Sequence, residues 1–173
     1  MIHLVTGGSG SGKSAYAEQC ILDFGGTRRV YIATMQPFGA EGQARIARHR
    51  KMRAAKKFST IECYTNLKEV ELEPGSDVLL ECMSNLTANE IFDPSGAGKA
   101  RAEEEILAGV SRLAHQARNL VLVTNEIFSD GYRYEEETME FHWILVNINV
   151  RLAEMADSVT EVMYGIPVRI KKE

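Results

Sequence analysis

Ile2-His3-Leu4-Val5-Thr6-Gly7-Gly8-Ser9-Gly10-Ser11-Gly12-Lys13-Ser14 opens the chain, and its reading decides the fold. The apolar run that ends in Gly7-Gly8 predicts a buried strand. Ala15, Ala17, Ile21 and Leu22 then recur at helical spacing. Between strand and helix, residues 7–14 satisfy G-x-x-x-x-G-K-[ST], the pattern of a phosphate-binding loop in its required setting. Glycines let successive backbone amides turn onto one phosphate without a Cβ clash. The helix that follows aims its unpaired amides and positive dipole end at the same anion. In this pattern Lys13 reaches the terminal phosphates of a nucleotide, and the Ser14 hydroxyl ligates Mg²⁺.

Outward from this loop, short apolar runs alternate with longer amphipathic ones. Residues 30–33, 76–82 and 120–124 read as further buried strands, and residues 159–163 with 168–170 as a hairpin around Gly165. Ile106, Val110, Leu113 and Ala117 share one helical face, as do Phe141, Leu145, Ile148, Leu152 and Met155. Strands apolar on both faces, alternating with helices, predict an α/β fold with a mostly parallel sheet. The chain has 173 residues, 45% apolar and 25% charged, and no Pro/Ser-rich linker, so residues 1–173 are expected to form a single domain. The loop at residues 93–98, rich in Gly, Pro and Ser, reads as the most flexible segment.

Twenty Lys and Arg oppose twenty-four Asp and Glu, for a net charge of −4. Seven of those bases and no acid fall between Arg45 and Lys57, leaving thirteen bases against twenty-four acids elsewhere. That balance argues against a general nucleic-acid binder and for a local anion site. Cys20, Cys63 and Cys82 lack metal or disulfide spacing. No apolar run approaches a membrane span, and the N-terminus lacks the features of a signal peptide, so the expected location is cytoplasmic.

A Mg²⁺ held by a phosphate loop also needs an acidic residue at the end of a neighbouring strand. Glu81 is the first candidate and Glu126 the second. Residues 42–57 read as a helix that places Arg45 and Arg53 one turn either side of His49. Like charge keeps that imidazole neutral and nucleophilic, and the arginines can hold triphosphate oxygens. From spacing alone, a solvated basic face with an incidental histidine is the commoner meaning of such a charge run.

Several short pieces occur in order along nearly the whole chain: Thr6-Gly7-Gly8 into Ser11-Gly12-Lys13-Ser14, Tyr31-Ile32-Ala33-Thr34, Ala44-Arg45-Ile46 before His49, and Glu62-Cys63. They continue with Leu79-Leu80-Glu81-Cys82, Val121-Leu122-Val123-Thr124-Asn125-Glu126, Arg151-Leu152-Ala153 before Ala156-Asp157, and Gly165-Ile166-Pro167. In these the chain resembles the bifunctional adenosylcobinamide kinase/adenosylcobinamide-phosphate guanylyltransferases of cobalamin biosynthesis. The resemblance implies a RecA-like P-loop fold, commonly assembled as a homotrimer. It implies phosphorylation of adenosylcobinamide by ATP or GTP, then transfer of GMP from GTP through a guanylyl-histidine, which aligns with His49. Nucleotide contacts implied by the family fall on Gly7, Gly8, Ser9, Gly10, Ser11, Gly12, Lys13, Ser14, Thr34, Met35, Gln36, Arg50, Lys51, Met52, Arg53, Glu62 and Glu81. The family's usual Gly-rich segment after Glu126 is here Ile127-Phe128-Ser129-Asp130-Gly131-Tyr132-Arg133-Tyr134. Two other functions stay open: a small-molecule kinase without the covalent step, and a GTP-binding regulatory module.

Overall fold

The computed structural model of the protein describes residues 1–37, 47, 55–126 and 136–172. Its elements, in chain order, are β1 (Ile2–Thr6), α1 (Lys13–Asp23), β2 (Arg29–Ala33), β3 (Phe58–Glu62), a short 3-10 turn (Leu67–Glu69) and β4 (Asp77–Leu80). Then come α2 (Met83–Phe92), α3 (Ala102–Gln116), β5 (Asn119–Val123), α4 (Glu136–Met155), β6 (Ser158–Met163) and β7 (Ile166–Lys171).

The strands form one sheet in the order β3-β2-β4-β5-β1-β6-β7. All neighbours pair in parallel except the β6–β7 hairpin. The α/β class read from the sequence is therefore the one observed. Strand β5 separates β1, which feeds the phosphate loop, from β4, which leads into Glu81. This is the RecA-like arrangement that the resemblance implied.

Alternation along each central strand builds two cores. Leu4, Leu120 and Leu122 face one side, with Leu86, Ile106, Leu113, Ile148 and Leu152 from α2, α3 and α4. Val5, Val121 and Val123 face the other, with Ala17 and Ile21 of α1. Because both faces are covered, β4 and β5 carry almost no polar side chain, which is why their runs were legible. Glu103, Glu104 and Glu105 occupy the first turn of α3, where the helix dipole favours acid. His3, on β1, is buried and pairs through Nε2 with Thr160 Oγ1 at 2.9 Å, a structural contact.

Three differences from the sequence reading have physical causes. Strand β3 was not anticipated, because Phe58-Ser59-Thr60-Ile61-Glu62 lies at the sheet edge and exposes Ser59, Thr60 and Glu62. Ala55 is helical, but Lys57 takes a left-handed φ of 59°, so the helix expected to reach Lys57 stops before it. Residues 93–98, expected to be the most flexible loop, are tied down by Glu90, a carboxylate only 1% exposed. Its Oε2 accepts the Ala97 amide at 2.9 Å and its backbone carbonyl accepts the Gly98 amide at 2.8 Å. Turn residues had suggested freedom, and a buried acceptor removes it. His49, Arg50, Lys51, Met52 and Arg53, together with residues 127–134, lie outside the described residues.

Candidate active site

The carboxyl ends of β1, β2, β4 and β5 lie along one edge of the sheet, the edge where open parallel sheets place their ligands. The phosphate loop leaves β1 there. Gly10 and Gly12 adopt φ values of 71° and 93°, which an L side chain rarely takes. A Cβ on Gly7 would stand 2.5 Å from the Val162 carbonyl and 2.7 Å from Ser11 Oγ, so only glycine fits. Gly12 precedes α1, and no side chain caps that helix. The first-turn amides are therefore left for an external acceptor, as an anion cradle requires. Ser11 Oγ is buried with no hydrogen-bond partner among the described residues, a second donor inside the loop.

Lys13 is 9% exposed, and its Nζ donates to the Gly8 carbonyl at 2.9 Å, so the ammonium arches over the loop. Burial lowers its pKa below the usual lysine value, with the nearby Cys82 thiol acting weakly in the opposite direction. A desolvated ammonium gains most when a phosphate arrives to pair with it.

Two strands away, Glu81 follows β4 and its own amide bonds the Ile32 carbonyl at 3.0 Å. Its Oε2 accepts the amides of Thr34 at 3.0 Å and Met35 at 3.3 Å. Thr34 is fully buried, its Oγ1 donating to the Cys82 carbonyl at 3.0 Å and its own carbonyl accepting from Asn89 Nδ2 at 2.9 Å. Gln36 Nε2 donates to Asp93 Oδ2 at 2.7 Å. Thr34, Met35, Gln36 and Glu81 thus form one connected wall. Glu62, at the end of β3, stands beside Ala33 in the β2–β3 register and reaches a separate cavity of about 400 Å³ that Gln36, Cys63, Tyr64 and Asp93 also line.

Between wall and loop stands the end of β5. The Glu126 amide donates to the Gly7 carbonyl at 3.1 Å, and Asn125 Nδ2 donates to Ser84 Oγ at 3.2 Å. Sequence reasoning gave Asn125, Ser84 and Asn89 no role. Asn125 carried a signal in its place directly after an apolar strand, whereas Ser84 and Asn89 are helix residues that only the packing brings to the site. Among the described residues, no cluster of three His, Cys, Asp or Glu side chains could hold a metal ion. A hard cation here would be held by few protein oxygens together with substrate phosphates, the habit of Mg²⁺. The donors in place, the Ser14 hydroxyl and the Glu81 carboxylate, fit that ion.

Residues 3–170 match the family described as cobinamide kinase / cobinamide phosphate guanyltransferase. The chain belongs to this family. Its function is that of the family, a kinase for cobinamide and a guanylyltransferase for cobinamide phosphate. Relatives named bifunctional adenosylcobalamin biosynthesis protein CobU occur in Salmonella typhimurium, 35% identical over 99% of this chain and the whole of that protein, and in Escherichia coli K12, 34% identical at the same coverage. Among solved structures, a KaiC-like protein of Pyrococcus horikoshii aligns with 92% of this chain and 69% of its own, at 15% identity and a TM-score of 0.49. The RadB recombinase aligns with 92% and 73% of the two chains, at 17% identity and a TM-score of 0.44. No helix among the described residues is long and apolar enough to cross a membrane.

Proposed function

We propose that this chain performs its two reactions as one domain, with the phosphate loop serving the kinase step and His49 the guanylyl step. In the first, the terminal hydroxyl of the aminopropanol arm of adenosylcobinamide attacks the γ-phosphorus of ATP or GTP. The bond from γ-phosphorus to the β,γ-bridging oxygen breaks and the nucleoside diphosphate leaves. The amides of residues 8–13 and the Lys13 ammonium neutralise charge on the transferring group. Ser14 and Glu81 would hold Mg²⁺, which when bound supplies further charge neutralisation at the phosphates. Glu81 also keeps Thr34 and Met35 in place through their amides, so the same carboxylate shapes the wall against which the acceptor sits.

In the second reaction an imidazole nitrogen of His49 attacks the α-phosphorus of GTP and pyrophosphate leaves. A phosphate oxygen of the cobinamide phosphate then attacks the same phosphorus, the N–P bond breaks and His49 is restored. Arg50, Lys51 and Arg53 offset the charge on the departing pyrophosphate, while Met52 contributes apolar contact to the nucleotide, and Glu62 binds the guanosine near the cavity beside it. The assembly is a cytoplasmic homotrimer. Ile166, Val168 and Ile170 of β7 and Trp143 of α4 are exposed apolar residues that such an assembly can cover.

The observation that carries this reading is the uncapped, glycine-shaped loop with a buried lysine arched over it, facing a carboxylate two strands away. The test is incubation with α-labelled GTP and Mg²⁺, denaturation, and measurement of label on the chain. Acid-labile, base-stable label is expected, lost in His49→Ala and retained in Lys13→Ala at saturating GTP. Label that persists in His49→Ala removes the role given to that histidine. No label in the unaltered chain removes the covalent step and leaves the kinase reading to be judged by transfer from γ-labelled ATP to cobinamide.

A further inference from the structure

The last turn of α2 buries an acid where a helix least favours one. Glu90 is almost wholly buried and lies just before Phe92, at the end of the helix where the dipole is negative. Met83, Leu86 and Ile91 of the same helix are buried as apolar side chains. A carboxylate in such surroundings needs partners for its oxygens, and among the described residues no ion pair supplies one. Backbone donors do. Oε1 accepts the Asn66 amide at 2.6 Å, and Oε2 accepts the Ala97 amide at 2.9 Å. An acid that breaks the helix's own preference is here serving two segments far apart in the chain.

Those two amides belong to the stretches that line one cavity. Tyr64, Thr65 and Asn66, leading out of β3, line it with Glu62, and Asp93 and Ser95 line it from the segment that holds Ala97. The other ties between the stretches are long and exposed: Thr65 Oγ1 to Ser95 Oγ at 3.3 Å, and Asn66 Nδ2 to the Ser95 carbonyl at 3.3 Å. Glu90 is the short, buried link. A Cβ on Gly96 would stand 2.5 Å from the Glu90 carbonyl oxygen, so the segment lies flush against the helix end. Asp93 accepts the Ser95 amide at 2.8 Å and Gln36 Nε2 at 2.7 Å, so the seat of this segment also fixes Gln36.

We infer that Glu90 is a positioning residue for the guanosine of GTP, its single carboxylate clipping Asn66 to Ala97 and so setting the width of the cavity beside Glu62. This rests on the reading of Glu62 and its cavity given above. Glu90 is too deeply buried to touch the nucleoside itself, and acts through the two stretches it joins. Without the clip, part of the nucleotide's binding energy goes into bringing those stretches together. Loss of Glu90 should therefore weaken GTP and leave the chemistry at phosphorus and the phosphate loop unchanged.

The experiment is self-guanylylation with α-labelled GTP and Mg²⁺ over a range of GTP concentrations, in the unaltered chain, Glu90→Gln, Glu90→Leu and Glu62→Gln. Each is assayed below its unfolding midpoint, and inorganic tripolyphosphate is titrated calorimetrically into the same proteins. Glu90→Gln keeps the shape and one acceptor oxygen, and is expected to raise half-saturating GTP about 5-fold. Glu90→Leu keeps neither acceptor and is expected to raise it about 10- to 100-fold. Maximal labelling rates should stay within about 3-fold of the unaltered chain, and tripolyphosphate affinity should not move. A purely structural role would lower the unfolding midpoint and the maximal label while half-saturating GTP stayed put, and that result overturns the assignment. Glu62→Gln is expected to raise half-saturating GTP as well. If it does and the Glu90 variants do not, Glu90 loses its role and the cavity keeps its own. Half-saturating GTP unmoved by Glu62→Gln, or no label in the unaltered chain, overturns the reading of the cavity and Glu90's role with it.

Discussion

Glu81 carries two duties that substitution can separate. Its Oε2 accepts the amides of Thr34 and Met35 at 3.0 and 3.3 Å, and its negative charge is the one proposed to face Mg²⁺. Glu81→Gln keeps an acceptor oxygen in the same place and removes only the charge. Hydrogen bonds to charged groups contribute about 1.5–3 kcal/mol and neutral ones about 0.5–1.5 kcal/mol. The second of these two is long and the site is half-exposed, so Glu81→Gln should cost about 1 kcal/mol of folding stability. Glu81→Ala leaves both amides without that acceptor and should cost about 2–3 kcal/mol, water replacing part of what is lost. Activity should not follow stability. Both variants should lose kinase turnover on the order of 100-fold, because each lacks the charge. The assay pairs urea unfolding with transfer from γ-labelled ATP to cobinamide across a Mg²⁺ titration. Wild-type turnover and Mg²⁺ dependence in Glu81→Gln would refute the metal role. Equal destabilisation by the two substitutions would refute the backbone role.

Gly26→Ala should destabilise the fold by about 1–3 kcal/mol in urea unfolding, since its Cβ would overlap the buried Asp77 carboxylate and the Arg118 guanidinium paired with it. An unchanged midpoint would show that this pair can move aside freely. Tripolyphosphate binding should weaken as pH rises through the Lys13 pKa, which burial holds below the ordinary lysine value. The sign follows because the anion binds the protonated ammonium, so above that pKa binding must take up a proton. The dependence is measured by titration calorimetry between neutral pH and the ordinary lysine range, and should vanish in Lys13→Ala.

What was legible in the sequence was whatever burial on both faces makes apolar. The strands β1, β2, β4 and β5 lie inside the sheet and read as short, mostly apolar runs, so their identity needed no knowledge of their neighbours. The phosphate loop was legible for another reason: its glycines answer to backbone geometry, and their spacing is the geometry written out. Strand β3 was not, because an edge strand with Ser59 and Thr60 exposed has no pattern that burial enforces. The loop after α2 misled because Gly, Pro and Ser report what a backbone can do, whereas Glu90 reaches it only through packing. The wall of Thr34, Glu81 and Asn89 was half-visible. Glu81 followed a strand in plain sight, but no sequence pattern says that an acid after one strand will receive the amides after another.

The joining of the Gly165 amide to the Ser11 carbonyl has a consequence for how the protein comes into being. Residues 7–14 leave a ribosome long before residues 162–165 do. Between them they form a single frame, in which Gly7 lies against the Val162 carbonyl and Gly12 against Gly165. A nascent chain therefore holds its phosphate loop unfinished until the β6–β7 hairpin has been made, with β1 lacking β6 on one side. Nucleotide can add its binding energy to the folded state only once the final hairpin has closed on the loop. Ligand-assisted folding in this protein thus waits for the β6–β7 hairpin, and a chain cut before residue 162 would forfeit it.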